Sequence, residues 1–315
     1  MADVSPDSDS PTDRGQLLLV TALALAVLLV TVALLLNTAI FTENVATRET
    51  TADGRAAIEL RGEAVTAVDD LIETENRVGG GDPGDVESAV DAMGPLVDRE
   101  RARHGTIGNL SRNGSATPGR LLRWTNPDTA RPFDDPGAGW RLVDSLAESR
   151  AFTVELTDVR SLTDPSGTVI ENQAFGVRFV NDTAGNRTLY LYEDGGRLIV
   201  ERATETTPPS QQCAIDAGSG TMTVDLSGDR LSTTETTVDC YRGLWPDDSP
   251  DAIEFRNGDA ADGTFSLTVD DGAVPIADPD VRDDPAVYAV TVDISYTSQD
   301  LAFETTVRVA PGEPR

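Results

Sequence analysis

Apolar residues follow one another without a charge or a proline from Leu17 to Leu36, a run of about 20 residues that is long enough to cross a bilayer core of roughly 30 Å as one helix. The period then changes. From Thr42 to Val78, Ile58, Val65, Val68 and Ile72 recur at helical spacing with Ala57, Ala64 and Leu71 beside them, while Arg55, Glu59, Arg61, Asp69, Asp70 and Glu73 take the other faces. Gly79-Gly80-Gly81 ends this helix. Asp82 as N-cap, Pro83 in the first turn and Asp85 beside the free amides start another, whose apolar stripe is Val86, Val90, Met93 and Val97 and which Pro95 is expected to bend. Residues 42–103 therefore read as an antiparallel helical hairpin, a stalk that continues from the apolar run.

Glycines and asparagines dominate 104–119, which reads as a linker or long loop, disordered by composition like residues 1–13. Between 120 and 150 three prolines, Pro127, Pro132 and Pro136, split short apolar pieces that the pattern does not assign. Beyond 150 the period becomes two. Phe152-Val154-Leu156, Phe175-Val177-Phe179, Leu189-Leu191 and Leu198-Val200 alternate with polar residues, and Glu193-Asp194-Gly195-Gly196 is a hairpin turn between the last two. Further strands are predicted at 222–226, 237–241, 252–255, 265–269, 288–296 and 301–309, the last two forming a hairpin through Ser298-Gln299-Asp300. Some ten short strands separated by turns predict an antiparallel β-sandwich. The fold class is then α+β: an N-terminal transmembrane helix with a helical stalk, followed by a β-sandwich head. Its parts are a leader or cytoplasmic tail at 1–15, the transmembrane helix at 16–41, the helical stalk at 42–103, the irregular segment at 104–150 and the sandwich at 151–315.

Charge narrows the setting. Asp and Glu total 54 against 25 basic residues, all of them Arg, for a formal net charge of −29. A compact domain so charged repels itself at low salt, whereas at molar salt the screening length falls to about 3 Å, so the composition fits a halophile. It also offers no basic patch to a phosphate backbone, which argues against nucleic acid as a partner.

Cys213 and Cys240 either pair or remain two buried thiols. Pairing is the expectation. It would close a loop of about 28 residues, for which chain entropy gives roughly 3.5 kcal/mol, and it would place the domain on the oxidising side of a membrane. Sequons at Asn109, Asn113, Asn181 and Asn186 all follow the apolar run, in segments that read as surface loops where an exported domain accepts glycans. The distribution of basic residues points the other way, because Arg14 alone precedes the run and Arg48 and Arg55 follow it. Cysteines and sequons together favour a single-pass protein of the cell membrane with its C-terminal domain outside.

Candidate chemistry is sparse. The single histidine, His104, ends an Arg-rich helix tail where complementarity to the helix C-terminus explains it. Ser219 lacks nucleophile-elbow spacing. The acidic groups Asp247-Asp248, Asp259 with Asp262, and Asp278, Asp280, Asp283 and Asp284 do not fit the 12-residue calcium loop and read as solvated surface. No enzyme, cofactor or metal is expected, and nothing singles out a small-molecule substrate.

Arg14-Gly15 followed by Gln16-Leu17 resembles the leader junction of archaeal type IV pilin-like proteins and archaellins, and residues 35–41 are similar to the end of the archaellin helix. That resemblance, over about 30 residues, implies cleavage after Gly15, an apolar helix at 17–36 that holds membrane lipid or forms a filament core, and sister pilin-like subunits as partners. The helix lacks archaellin Gly spacing, and the leader carries several Asp residues. Two functions follow: a pilin-like structural or interaction protein of the cell surface, or an exported binding or sensor module on an uncleaved signal anchor. They differ in whether the mature chain starts at Gln16.

Overall fold

A computed structural model describes residues 54–124, 133, 140–217, 220–240, 250–276 and 280–314. Residues 1–53 lie outside it, and with them the apolar run at 17–36 and the junction Arg14-Gly15-Gln16. Among the described residues no helix is long and apolar enough to cross a membrane.

Helix α1 occupies 54–74 and tightens into a π-turn at Glu75–Gly79. After the glycines comes α2 (Pro83–Arg103), started by Asp82, whose carboxylate accepts from the Gly84 amide at 2.8 Å with Pro83 in the first turn. The helix continues through Pro95. Among the described residues sixteen strands follow in chain order, with α3 (Gly167–Gln173) between the fourth and fifth: β1 (Ile107–Arg112), β2 (Thr117–Trp124), β3 (Trp140–Asp144), β4 (Ser149–Val159), β5 (Phe175–Val180), β6 (Arg187–Asp194), β7 (Arg197–Thr204), β8 (Ser210–Asp216), β9 (Met222–Asp225), β10 (Arg230–Ser232), β11 (Thr237–Asp239), β12 (Ala252–Arg256), β13 (Ala261–Asp270), β14 (Val274–Pro275), β15 (Val281–Thr297) and β16 (Ala302–Val309). The ladders are antiparallel. One sheet of nine strands runs β1-β15-β2-β13-β4-β9-β10-β11 with β16 also on β15, and one of seven runs β14-β3-β12-β5-β6-β7-β8.

The two sheets pack face to face, as alternation along β4, β5 and β13 requires, over a core that gathers most of the chain's phenylalanines. Phe133, Phe152, Phe175, Phe179, Phe255 and Phe265 meet there with Trp124 and Trp140; the Phe133 and Phe175 rings lie 4.6 Å apart and those of Trp140 and Phe255 5.3 Å. On the outer face of β6 and β7, α3 covers Tyr190, Tyr192 and Ile199 with Ile170.

The long β15 serves two layers. Its first half pairs with β2 inside the sandwich sheet; its second half pairs with β1 on one side and β16 on the other, forming a three-stranded arm. The helical hairpin lies along one face of that arm. Ala57, Leu60, Ala64, Val68 and Ile72 of α1 and Val86 and Val90 of α2 pack on Leu110, Val290, Val292, Ile294 and Tyr296. The helices run antiparallel, with Arg101 paired to Glu63 at 2.9 Å.

The helices of the stalk lie against the head, the apolar face of α1 being spent on the sheet. The stripe read in the sequence is buried at Ala57, Ala64, Val68 and Ile72, but Ile58 is 69% exposed and Leu60, which the pattern did not single out, is buried against the bare backbone of Gly108. The segment 104–119 is no linker, since β1 and the start of β2 flank β15; Gly108 must lack a side chain because a Cβ there would lie 2.5 Å from Arg101 Cγ. Likewise 140–144 within the segment read as irregular is strand β3. The hairpin turn at 193–196 and the C-terminal hairpin through 298–300 stand where the sequence placed them, Gly195 and Gly196 both taking the positive φ that a two-residue turn needs.

Candidate functional site

With the helices on one face of the three-stranded arm, strand alternation turns the other face outward and fills it with polar side chains. Asn109, Ser295 and Glu304 lie in one row across β1, β15 and β16, and Ser111, Asp293 and Thr306 in the next. Asn109, Asp293, Ser295, Glu304 and Thr306 of these rows, together with Asn113, border a shallow concavity of about 510 Å³, within the size range of ligand clefts. Thr306 Oγ1 donates to Asp293 Oδ1 at 2.5 Å and Asn113 Nδ2 to both Asp293 oxygens at 3.0 Å, which holds the Asp293 carboxyl below the usual carboxylate range. The face presents hydroxyls, amides and carboxylates at fixed spacing. It can hydrogen-bond a polyhydroxylated group.

A second polar feature is internal. Arg150, at the start of β4, is 1% exposed and stands where the hairpin, β15 and the C-terminal tail meet. Its Nη1 donates to the Pro311 carbonyl at 2.6 Å and its Nη2 to the Val287 carbonyl at 2.9 Å; its guanidinium stacks 5.5 Å over the Tyr288 ring, and its Nε finds no partner among the described residues. Burial pushes the Arg150 pKa down to about 10, so the group remains charged at neutrality. Asp69 and Glu73 of α1 face it. Burial, with Glu73 close by, raises the Asp69 carboxyl, and Arg150 opposes that rise. Arg308 also stacks on Tyr288 and ties Glu313 at 2.7 Å to Glu148 at 2.8 Å. Nearby, the Asn76 side chain stands in for a missing strand on the open edge of β15, donating to the Val287 carbonyl at 2.9 Å and accepting from its amide at 2.7 Å. These contacts join α1 to the head.

Three of the eight aspartates singled out in the sequence are engaged by arginine. Asp283 pairs with Arg120; Asp284 pairs with Arg123 at 2.6 Å and Arg282 at 2.7 Å, and Asp259 with Arg160 at 2.8 Å. Desolvation pushes Asp284 up, but the hydrogen bonds from Arg123 and Arg282 outweigh it and hold the carboxyl low. Among the described residues no group of three or more His, Cys, Asp and Glu side chains is placed to hold a metal ion. Asp247, Asp248, Asp278 and Ser219 lie outside the described residues. His104 caps α2 at the surface, 3.4 Å from Glu100.

Cys213 and Cys240 form a disulfide, with Cα atoms 5.4 Å apart. It joins β8, the outermost strand of the seven-stranded sheet, to the residue after β11, the outermost strand of the other, and so closes the sandwich at one edge. Asn109 and Asn113 are exposed on the polar face, the first on β1 and the second just beyond it. Asn181 is buried, and its Oδ1 accepts from the Thr183 and Ala184 amides at 3.0 and 2.6 Å; Asn186 accepts from the Asn181 amide at 3.1 Å in the same turn. Sequence reasoning missed Arg150 and the cross-strand neighbours of Asn109. The alternation of polar Thr291, Asp293 and Ser295 with buried valine and isoleucine was a visible signal, but it had no register until β1 was recognised as a strand.

Architecture and site define an α+β protein in which a helical hairpin is built onto a disulfide-closed β-sandwich. Residues 11–136 match a family described as a family of unknown function, DUF7261. The match carries no pilin or archaellin name; it spans the apolar run, the hairpin, β1 and β2. No curated protein matches the chain.

Proposed function

We propose that this chain is a membrane-anchored, pilin-like structural or interaction protein displayed on the surface of a halophilic archaeon, with the apolar run as anchor and the sandwich as an outward head. The observation that carries the reading is the placement of α1. The helix nearest the apolar run does not swing free but buries Ala57, Leu60, Ala64, Val68 and Ile72 in the head, so an anchor at 17–36 would be joined to a rigid body through a chain of only about 17 residues. The family match, which begins at residue 11 and runs through the hairpin into β2, treats junction, apolar run and hairpin as one unit and supports the same view. The disulfide agrees with an oxidising location outside the cytoplasm.

The concavity on the polar face favours a second reading, an exported binding or sensor module on an uncleaved anchor. Intact-mass and N-terminal peptide analysis of the native protein, purified from membranes at high salt, separates them. A mature start at Gln16 supports pilin-type processing and subunit partners. An intact start, or loss of Met1 alone, removes the pilin reading and leaves the tethered module.

A further inference from the structure

The four sequons are equivalent in the sequence and unequal in the fold. On a folded domain, an asparagine takes a glycan when its amide nitrogen is free to attack and its sequon hydroxyl lies on the same face. Asn181 is 4% exposed with its carboxamide oxygen capping its own turn, and Asn186 spends both ends of its amide, accepting from the Asn181 amide and donating to Glu205. Asn113 donates to both oxygens of Asp293. Asn109 alone combines exposure with an amide that has no hydrogen-bond partner among the described residues, and it stands on β1, the terminal strand of its sheet. Alternation puts Asn109 and Ser111 on the outer face while Leu110 between them, 2% exposed, points into the helix-covered core.

We propose, resting on the exported reading above, that Asn109 is the glycan acceptor of this chain and that the attached sugars lie over the polar face of the three-stranded arm. The donor is a lipid-phosphate-linked oligosaccharide. The Asn109 Nδ2 forms a bond to the anomeric carbon, the bond from that carbon to the phosphate oxygen breaks, the lipid phosphate leaves with the electron pair, and the amide gives up one proton to the transferase's base. Ser295 lies directly opposite Asn109 and Glu304 beyond it, so the first sugars meet a hydroxyl and a carboxylate within a concavity of about 510 Å³. The glycan would fill the cradle with the protein's own sugar.

Trypsin separates the candidates, because Arg103, Arg112, Arg120, Arg178 and Arg187 place Asn109 in peptide 104–112, Asn113 in 113–120, and Asn181 with Asn186 in 179–187. Mass spectrometry of such digests of the full chain from its native membrane is expected to find glycan mass on 104–112 and none on the other two. Asn109→Gln and Ser111→Ala are each expected to abolish it, and Ser115→Ala to leave it unchanged. Glycan on 113–120 or 179–187 instead of 104–112 would overturn the assignment. The same non-reducing digest reads the link between peptides 203–230 and 231–242: a bare 104–112 with that disulfide formed overturns the glycan proposal alone, and a bare 104–112 with free thiols overturns it together with the exported reading.

Discussion

Arg150 concentrates the electrostatic cost of the fold in one side chain. A fully buried guanidinium with one nitrogen unpartnered is tolerated because two backbone carbonyls, the Tyr288 ring and the carboxylates of Asp69 and Glu73 surround it. Replacing it takes the Arg150 donor from the Pro311 carbonyl, leaves the Val287 carbonyl with Asn76 alone of its two side-chain donors, and opens a cavity between hairpin and head. Arg150→Ala is therefore expected to lower unfolding free energy by about 3 kcal/mol in urea titrations, and a change within about 0.5 kcal/mol would contradict the role given to it. Asp284 acts in the opposite direction at the surface. Its carboxyl is held below the unfolded value of 3.8, so its contribution is present above that value and is lost as pH falls through and below it. Thermal melts between pH 2.5 and 6 are expected to show a weaker acid-side loss for Asp284→Asn than for the parent chain; identical slopes would show that the Arg123 and Arg282 pairs carry no such linkage.

At the scale of elements, the hairpin and the disulfide are the two devices that fix layers to one another. Ile72 is fully buried against the arm and Ile58, on the same helix, is 69% exposed. Ile72→Ala is expected to cost about 3 kcal/mol and Ile58→Ser less than about 0.5 kcal/mol; equal effects would mean that α1 packs on a different face. Removing the disulfide with Cys213→Ala and Cys240→Ala together is expected to cost up to about 3.5 kcal/mol, read as a lowered denaturation midpoint, because it frees the ends of both sheets at once. These elements also mark how far the sequence could be read. The period of two from Phe152 onward, the 193–196 turn and the capped start of α2 are local signals, and each stands where it was read. β1 was not legible, since Ile107-Gly108-Asn109-Leu110 has the composition of a loop and becomes a strand only through its ladder with β15, about 180 residues away, and through a helix that needs its glycine. The polar face shared that fate: Asn109 was named, but its neighbours Ser295 and Glu304 belong to strands whose register no local pattern supplies.

The molecule as a whole separates its surfaces by role. One face of the three-stranded arm is occupied by the hairpin, the other is polar and open, and the sandwich beyond carries its aromatic core between two sheets locked at an edge. A net charge of −29 is tolerable for such a body in strong salt and keeps it apart from like-charged copies elsewhere. The central claim is that this head stands outside the cell on an anchor at residues 17–36. Brief proteolysis of intact cells in molar salt, followed by N-terminal sequencing of released fragments, tests it directly. The account predicts release of a head whose new N-terminus falls between residues 37 and 53 and whose Cys213–Cys240 disulfide is formed; a head protected in intact cells and cut only after lysis would contradict it.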